Sequence, residues 1–333
     1  MNKNCIKPAT LNRKMTRREA IQKKKAELKR QVFFDPTYDP TFKKIFKKVV
    51  NLIHFLNAIL HLEGEQRIVH ISPLKPKVSL DSVSPKVVAA STKPKIVCFD
   101  IHARTANGDY FDVEMQRAVQ EDFLDRIEYY SSMLSVNAKI TMVRETSKKY
   151  STDHPYLMPK VFSIWICNFN VDFCKNYREE ISLYRASDVG KLGALPVYPK
   201  KRYIVVDLTK FVPKNDDSAE SRWLNLFKTM PYAKCVPKCK DDVIAEIYEC
   251  MRIDKSTDEF ITEVATNMID RDEYNAGISY ARRTGFEEGE ACGEKRGVAK
   301  TMKKFAARDK KIAKYLRSKG ISPEILATAL AIK

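Results

Sequence analysis

The stretch IVCFDIHARTANGDYFDVEMQ, residues 96–116, decides the fold. Val97, Phe99, Ile101 and Ala103 alternate with Cys98, Asp100, His102 and Arg104; past Asn107-Gly108, Phe111, Val113 and Met115 alternate with Tyr110, Asp112, Glu114 and Gln116. Period-two alternation on both sides of an Asn-Gly pair marks a β-hairpin. A two-residue loop would set Ile101 opposite Glu114 and lay an apolar face on a polar one. A three-residue loop, Ala106-Asn107-Gly108 with Gly108 in the left-handed position of a bulge, instead pairs Phe99 with Met115, Ile101 with Val113 and Asp100 with Glu114. All the apolar side chains then share one face, and Asp100, Glu114 and Gln116 converge on the other.

In that register the two carboxylates stand about 5 Å apart at their Cβ atoms. Acids so close repel, and a bridging divalent cation offsets the cost. Two readings of the pattern stand side by side: a metal-holding pair with phosphodiester chemistry, or the solvated polar face of a half-exposed hairpin.

The run Asp100 … Glu114-Met115-Gln116, followed by Phe123, Arg126, Tyr129 and Tyr130, resembles the Rpn family of transposases and recombination-promoting nucleases, a branch of the PD-(D/E)xK nuclease superfamily. Asp39-Pro-Thr-Phe-Lys-Lys-Ile-Phe and Leu52-Ile-His-Phe-Leu-Asn-Ala-Ile-Leu look like its opening helices, and Val161–Phe169 and Ile204–Phe211 like its later strands. The resemblance covers roughly Phe33 to Asn275. It implies an α/β fold, a mixed central sheet flanked by helices in a restriction-endonuclease-like core, with a helical C-terminal extension. It also implies Mg2+, or Mn2+ in its place, held by Asp100 and Glu114 with the Met115 carbonyl, and Gln116 at the position where much of the superfamily carries a lysine, a substitution that this branch shares. Arg117 and Arg126 are the substrate-binding candidates.

The function expected from this likeness is a magnesium-dependent endonuclease that hydrolyses DNA and is associated with recombination or mobile elements. Gln116 would orient a water and hydrogen-bond the phosphate, while the cation missing at that position would come from the metal and from Arg117 or Arg126. Two rivals remain: a DNA-binding recombination accessory whose nuclease centre has decayed, and a non-enzymatic assembly protein.

Composition is consistent with a nucleic-acid partner. The 333 residues carry a formal charge of +18, with an isoelectric point near 9.4, and lysines that neutralise phosphates gain affinity by releasing condensed counterions. The excess sits in an N-terminal arm around Lys23–Arg30 and again over Lys300–Lys314, each of which reads equally as a solvated helix face. No apolar run reaches membrane-span length, and the first thirty residues lack the apolar segment of a signal peptide. A cytoplasmic location with reduced cysteines is therefore expected, and Cys235 and Cys239 lack the second pair that a zinc site needs. The five histidines show no ligand spacing; His54 and His61 read as packing or surface residues.

Along the chain, three regions are expected: a basic arm over 1–32, the nuclease-like core over 33–215 and a helical region over 216–333. Thr16–Gln31 reads as a charged helix, Thr41–Leu62 as one amphipathic helix, Arg67–Ser72 as the first strand, and Val161–Cys167 as a strand buried on both faces. Asp39, just ahead of the second helix, is either its N-cap or a third acid of the site. Arg126, on a helix with Phe123, Ile127, Tyr130 and Leu134, either faces the site or pairs with a neighbouring acid. The Pro-, Ser- and Lys-rich segment 72–95 reads as a surface loop, a substrate-gripping flap or a sign that this copy has drifted, the loop being the commonest reading of such composition. Gly277, Gly285, Gly289, Gly293 and Gly297, spaced by four or eight, suit either a homo-oligomer built through C-terminal helices or a flexible connector. Gly320 then stops a basic helix, and Ser322-Pro323-Glu324 starts another.

Overall fold

Asn107-Gly108 makes the predicted turn. Thr105 N–H donates to the Asp109 carbonyl at 2.9 Å and Gly108 N–H to the Thr105 carbonyl at 3.0 Å, with Gly108 at φ +83°. Ile101 therefore faces Val113 across the hairpin, in the register that the alternation requires. The computed structural model describes residues 15–79, 96–119, 122–145, 154–213, 218–238 and 240–331.

The hairpin strands β4 (Ile101–Thr105) and β5 (Tyr110–Gln116) lie within a six-stranded sheet. Beyond β4 lies the edge strand β1 (Ile71–Pro73); beyond β5 come β6 (Val161–Cys167), β8 (Tyr198–Asp207) and β7 (Arg178–Leu183). The β5–β6 and β6–β8 pairings are parallel and the others antiparallel, so the sheet is mixed. Two short strands, β2 (Lys77–Ser79) and β3 (Ile96–Cys98), pair separately.

Helices cover both faces, because β5 and β6 are buried along their whole length. On one face Phe111, Val113, Ile164 and Ile166 pack with α2 (Asp39–Phe46), α3 (Val49–Ile59) and α5 (Ala219–Thr229) in one apolar core. Trp223 centres that layer, stacked on Phe46 at 5.5 Å, its Nε1–H donating to His54 Nδ1 at 2.9 Å. The opposite face is covered by α4 (Phe123–Glu145), whose Phe123 and Ile127 meet Trp165 and Val205. This is the expected α/β architecture.

Several expectations give way to tertiary contacts. The strand pattern through Phe99 does not continue into the hairpin: Phe99 N–H donates to the Pro76 carbonyl, β3 pairs with β2, and the Phe99 ring joins Val97 and Tyr110 in a separate apolar cluster. Phe99 is thus not paired with Met115. The first strand begins at Ile71, because the Asn57 side-chain amide takes both backbone groups of Ile68, at 2.8 and 2.9 Å. The helix expected over Thr41–Leu62 breaks at Lys48, whose ψ of 117° is extended, and Asn51 donates to the Ile45 carbonyl across the break at 2.7 Å.

Contacts separate Met1–Asp270 from Arg271–Lys333. The first unit reaches that far because α5, α6 (Asp242–Cys250) and the start of α7 (Asp258–Ser318) place Trp223, Tyr248 and Val264 in the sheet's core. Within the described part of the arm, Thr16 caps α1 (Arg17–Leu28) with a full capping box, and Leu28 is buried. In the second unit the helix stops as expected, with Gly320 at φ +83° and the Ser322 hydroxyl capping α8 (Pro323–Ala331). Among the described residues, a Cβ added at Gly285, Gly289, Gly293 or Gly297 would meet nothing within 4 Å. Most of the 72–95 segment, and Cys239 of the Cys235 pair, lie outside the described residues. Among those residues no helix is long and apolar enough to cross a membrane.

Candidate active site at the open end of the hairpin

Where β4 leaves the ladder, Asp100 sits at a bend and bonds to the end of β5 through its side chain. Its backbone N–H donates to Glu114 Oε1 at 2.9 Å, and its own Oδ2 accepts from Met115 N–H at 2.9 Å. Gln116 Nε2 donates to Glu114 Oε2 at 3.3 Å. Asp100, Glu114 and Gln116 are thereby brought together.

Asp39 joins them from α2. Tyr38 is the N-cap of that helix and Asp39 its first residue, so the Asp39 carboxylate is not the cap. It lies beside Asp100 and accepts from Lys43 Nζ at 2.6 Å; the same ammonium is 3.9 Å from Asp100 Oδ1.

The electrostatics are those of acids crowded out of water. Burial raises the Asp100 pKa to about 6 against the Met115 hydrogen bond that lowers it, and the neighbouring Asp39 adds to the rise. Burial likewise pushes Glu114 well above the usual carboxylate range, with Asp112 and Asp100 adding repulsion. Burial opposes the charge on Lys43, but Asp39 and Asp100 outweigh it and raise the lysine.

Two residues escape a reading of the sequence alone. Asp112 occupies the same face of β5 as Glu114, fully buried, its Oδ2 accepting from Ser163 Oγ at 3.3 Å. Its signal was the alternation itself, which puts Asp112 in the same phase as Glu114. Lys43 was signalled by its spacing, one helical turn after Asp39. The two arginine candidates have different surroundings. Arg117 donates to Asp35 at 2.8 Å, contacts the Thr37 hydroxyl and lies 3.7 Å from the Tyr38 ring centroid, so it ties the entry of α2 to the end of β5. Arg126 donates to the Tyr130 hydroxyl at 3.0 Å, and its charge lowers the Asp112 pKa, so it stands near the buried acids of β5.

The donor set fits a hard cation. Its atoms are carboxylate oxygens, and a carboxylate oxygen that accepts one hydrogen bond keeps a second lone pair. Mg2+ is commonly held by one or two carboxylates plus substrate phosphates rather than by an all-protein cage. Among the described residues no three His, Cys, Asp or Glu side chains form a ready metal group.

A family model of the PD-(D/E)XK nuclease family transposases matches residues 36–280. No curated protein matches the chain, and no solved structure does. The match spans the sheet, both helical layers and every acid of the site, and the chain belongs to the PD-(D/E)XK nuclease family transposases.

Proposed function

We propose that the protein is a Mg2+-dependent DNA endonuclease that hydrolyses phosphodiester bonds in recombination or the movement of mobile elements. The observation that carries this reading is the meeting of half-buried Asp100 and buried Glu114, two carboxylates locked to each other's strand ends by hydrogen bonds of 2.9 Å. Folding gains little from such an arrangement, since a buried carboxylate needs a partner of opposite charge to offset its desolvation.

Asp100 and Glu114, with the Met115 carbonyl, would hold Mg2+ or Mn2+. The ion supplies polarisation of the phosphate and activation of water at neutral pH when bound. The chain's own groups do the rest. Gln116 holds Glu114 in place through Nε2 and offers its amide oxygen to an attacking water. Arg117 acts at one remove, fixing the helix that carries Asp39 and Lys43. The net charge of +18 favours a polyanion as partner.

The decayed, DNA-binding reading draws support from the neutral Gln116. A covalently closed plasmid separates the two readings. Wild type with Mg2+ or Mn2+ is expected to nick it, with loss of nicking in EDTA and a fall of at least about a thousandfold in Asp100→Ala. Equal nicking by wild type and Asp100→Ala would sink the proposed site. Retardation of DNA by both proteins without cleavage by either would favour the decayed centre.

A further inference from the structure

Hydrolysis of a phosphodiester places growing negative charge on phosphate oxygens, and a cation already aimed at that point lowers the barrier most. Gln116 carries no charge, Arg117 is engaged with Asp35 and Tyr38, and Arg126 lies against Tyr130. Lys43 differs from all three. Its ammonium touches Asp39 and approaches Asp100, yet its side chain is 44% exposed. It also lines a cleft of about 700 Å³ that Asp100 opens onto.

The cleft suits a nucleic-acid strand. Lys44, Lys47 and Lys255 stand around it with Lys43, and Leu74 and Phe260 supply apolar wall. Lys44 is held 4.1 Å above the Phe260 ring, and the exposed Lys47 adds charge along the same helix. Lys43 therefore combines nearness to the acids with access from the cleft. Its place is fixed from below: Pro40 stands in the first turn of the helix, and the Thr41 hydroxyl donates to the Asp35 carbonyl at 2.6 Å, next to the carboxylate that Arg117 clamps.

We propose that Lys43 is the phosphate-facing cation of this site, supplying from α2 the charge that position 116 lacks and contacting the scissile phosphate of DNA in the cleft. The proposal rests on the nuclease reading above. Water adds to phosphorus, the P–O ester bond breaks, and the proton that water loses balances the one the departing oxygen takes up. Lys43 stays protonated throughout and donates to a non-bridging oxygen. Without substrate, Asp39 holds it in place.

The test compares full-length wild type, Lys43→Ala, Lys43→Met, Lys43→Arg, Lys43→Ala/Gln116→Lys and Asp100→Ala. The readouts are plasmid cleavage with Mg2+, affinity for a duplex oligonucleotide in EDTA, and thermal unfolding. Lys43→Met keeps the alkyl stem and so separates loss of charge from loss of fold. Loss of the charge is expected to slow cleavage about a hundredfold, with Lys43→Arg retaining part of the activity. Metal-free affinity should fall several-fold, and adding Gln116→Lys to Lys43→Ala should restore at least about tenfold of the rate. A merely structural lysine on α2 would not be rescued from β5.

Cleavage by Lys43→Met within a factor of about three of wild type, or failure of Gln116→Lys to speed up the double variant, overturns the role of Lys43. If Asp100→Ala is inactive in that experiment, the nuclease reading still stands. If wild type itself does not cleave, the nuclease reading falls; unchanged metal-free affinity in Lys43→Met then removes Lys43 as a phosphate contact, whereas a fall in affinity confirms that contact.

Discussion

Strands β5 and β6 lie side by side in parallel register, and all seven residues of each are buried, yet they are built from different chemistry. β6, VFSIWIC, has a single polar side chain, Ser163. β5, YFDVEMQ, carries Asp112, Glu114 and Gln116, all on the face it shares with Ser163, Trp165 and Cys167. Interior position accounts for β6, because a strand covered on both faces favours apolar residues. It does not account for β5, where burial holds Asp112 and Glu114 well above the usual carboxylate range. Burial is thus set by the fold, while the departure from core composition sets β5 apart as the strand that carries the buried acids. That departure extends to the carboxyl end of β5, the end of parallel strands where ligands of open α/β sheets usually bind.

The comparison breaks most visibly at Trp165, the partner of Glu114 across the two strands. Trp165 is fully buried, edge-on to Phe123 at 5.6 Å and Tyr130 at 5.5 Å. Trp165→Ala opens a large void beneath α4 and is expected to cost about 3–5 kcal/mol at any pH, measured by urea unfolding. A loss under about 1 kcal/mol would mean that β6 is not the packed member of the pair.

Asp100→Asn is expected to act in the opposite direction, and only at higher pH. The folded protein holds the Asp100 proton up to about pH 6, against a usual value of 3.8. Between those values the native state binds more protons than the unfolded state, so this group's contribution to stability falls as pH rises through the interval. The full fall is at most about 3 kcal/mol. In EDTA, Asp100→Asn should match wild type near pH 4 and unfold at higher temperature above pH 6. An unfolding difference that does not grow with pH would show that Asp100 is not strained by burial. With Mg2+ present the gap should narrow, since the cation stabilises the ionised carboxylate only in wild type.

How much of this was legible depended on the range of the interaction. The hairpin register, the left-handed Gly108 and the apolar β6 all follow from local alternation and turn chemistry, and the structure has them. Phe99 fails because the same alternation continues through it, while its partner is chosen by β2, about twenty residues upstream. β7 escaped notice because it is an edge strand and carries Arg178, Glu179 and Glu180, residues that blunt an edge but hide the strand pattern. Asp100 and Glu114 could be placed together from register alone. Lys43 could not be placed beside them, since the approach of α2 to the hairpin depends on Arg117 reaching back to Asp35 across 82 residues of sequence.

The smallest effect tests whether the two strands are chemically independent. Ser163 is the one polar side chain of β6, and it links them: its Oγ accepts from Trp165 Nε1 at 2.8 Å and donates to Asp112 Oδ2 at 3.3 Å. Ser163→Ala removes little volume but deprives a buried indole N–H and a buried carboxyl of their shared partner. Leaving such groups unmatched costs about 1–2 kcal/mol. Asp112→Asn in the Ser163→Ala background distinguishes the two losses. If the carboxyl is the group that suffers, the second substitution recovers part of the stability, because a neutral amide costs less to bury than an acid. If the indole suffers alone, the two substitutions add without interaction. A non-additive result in a double-mutant cycle would make Ser163 part of the acid-bearing face, so that the apolar strand itself helps to hold the buried acids of its neighbour.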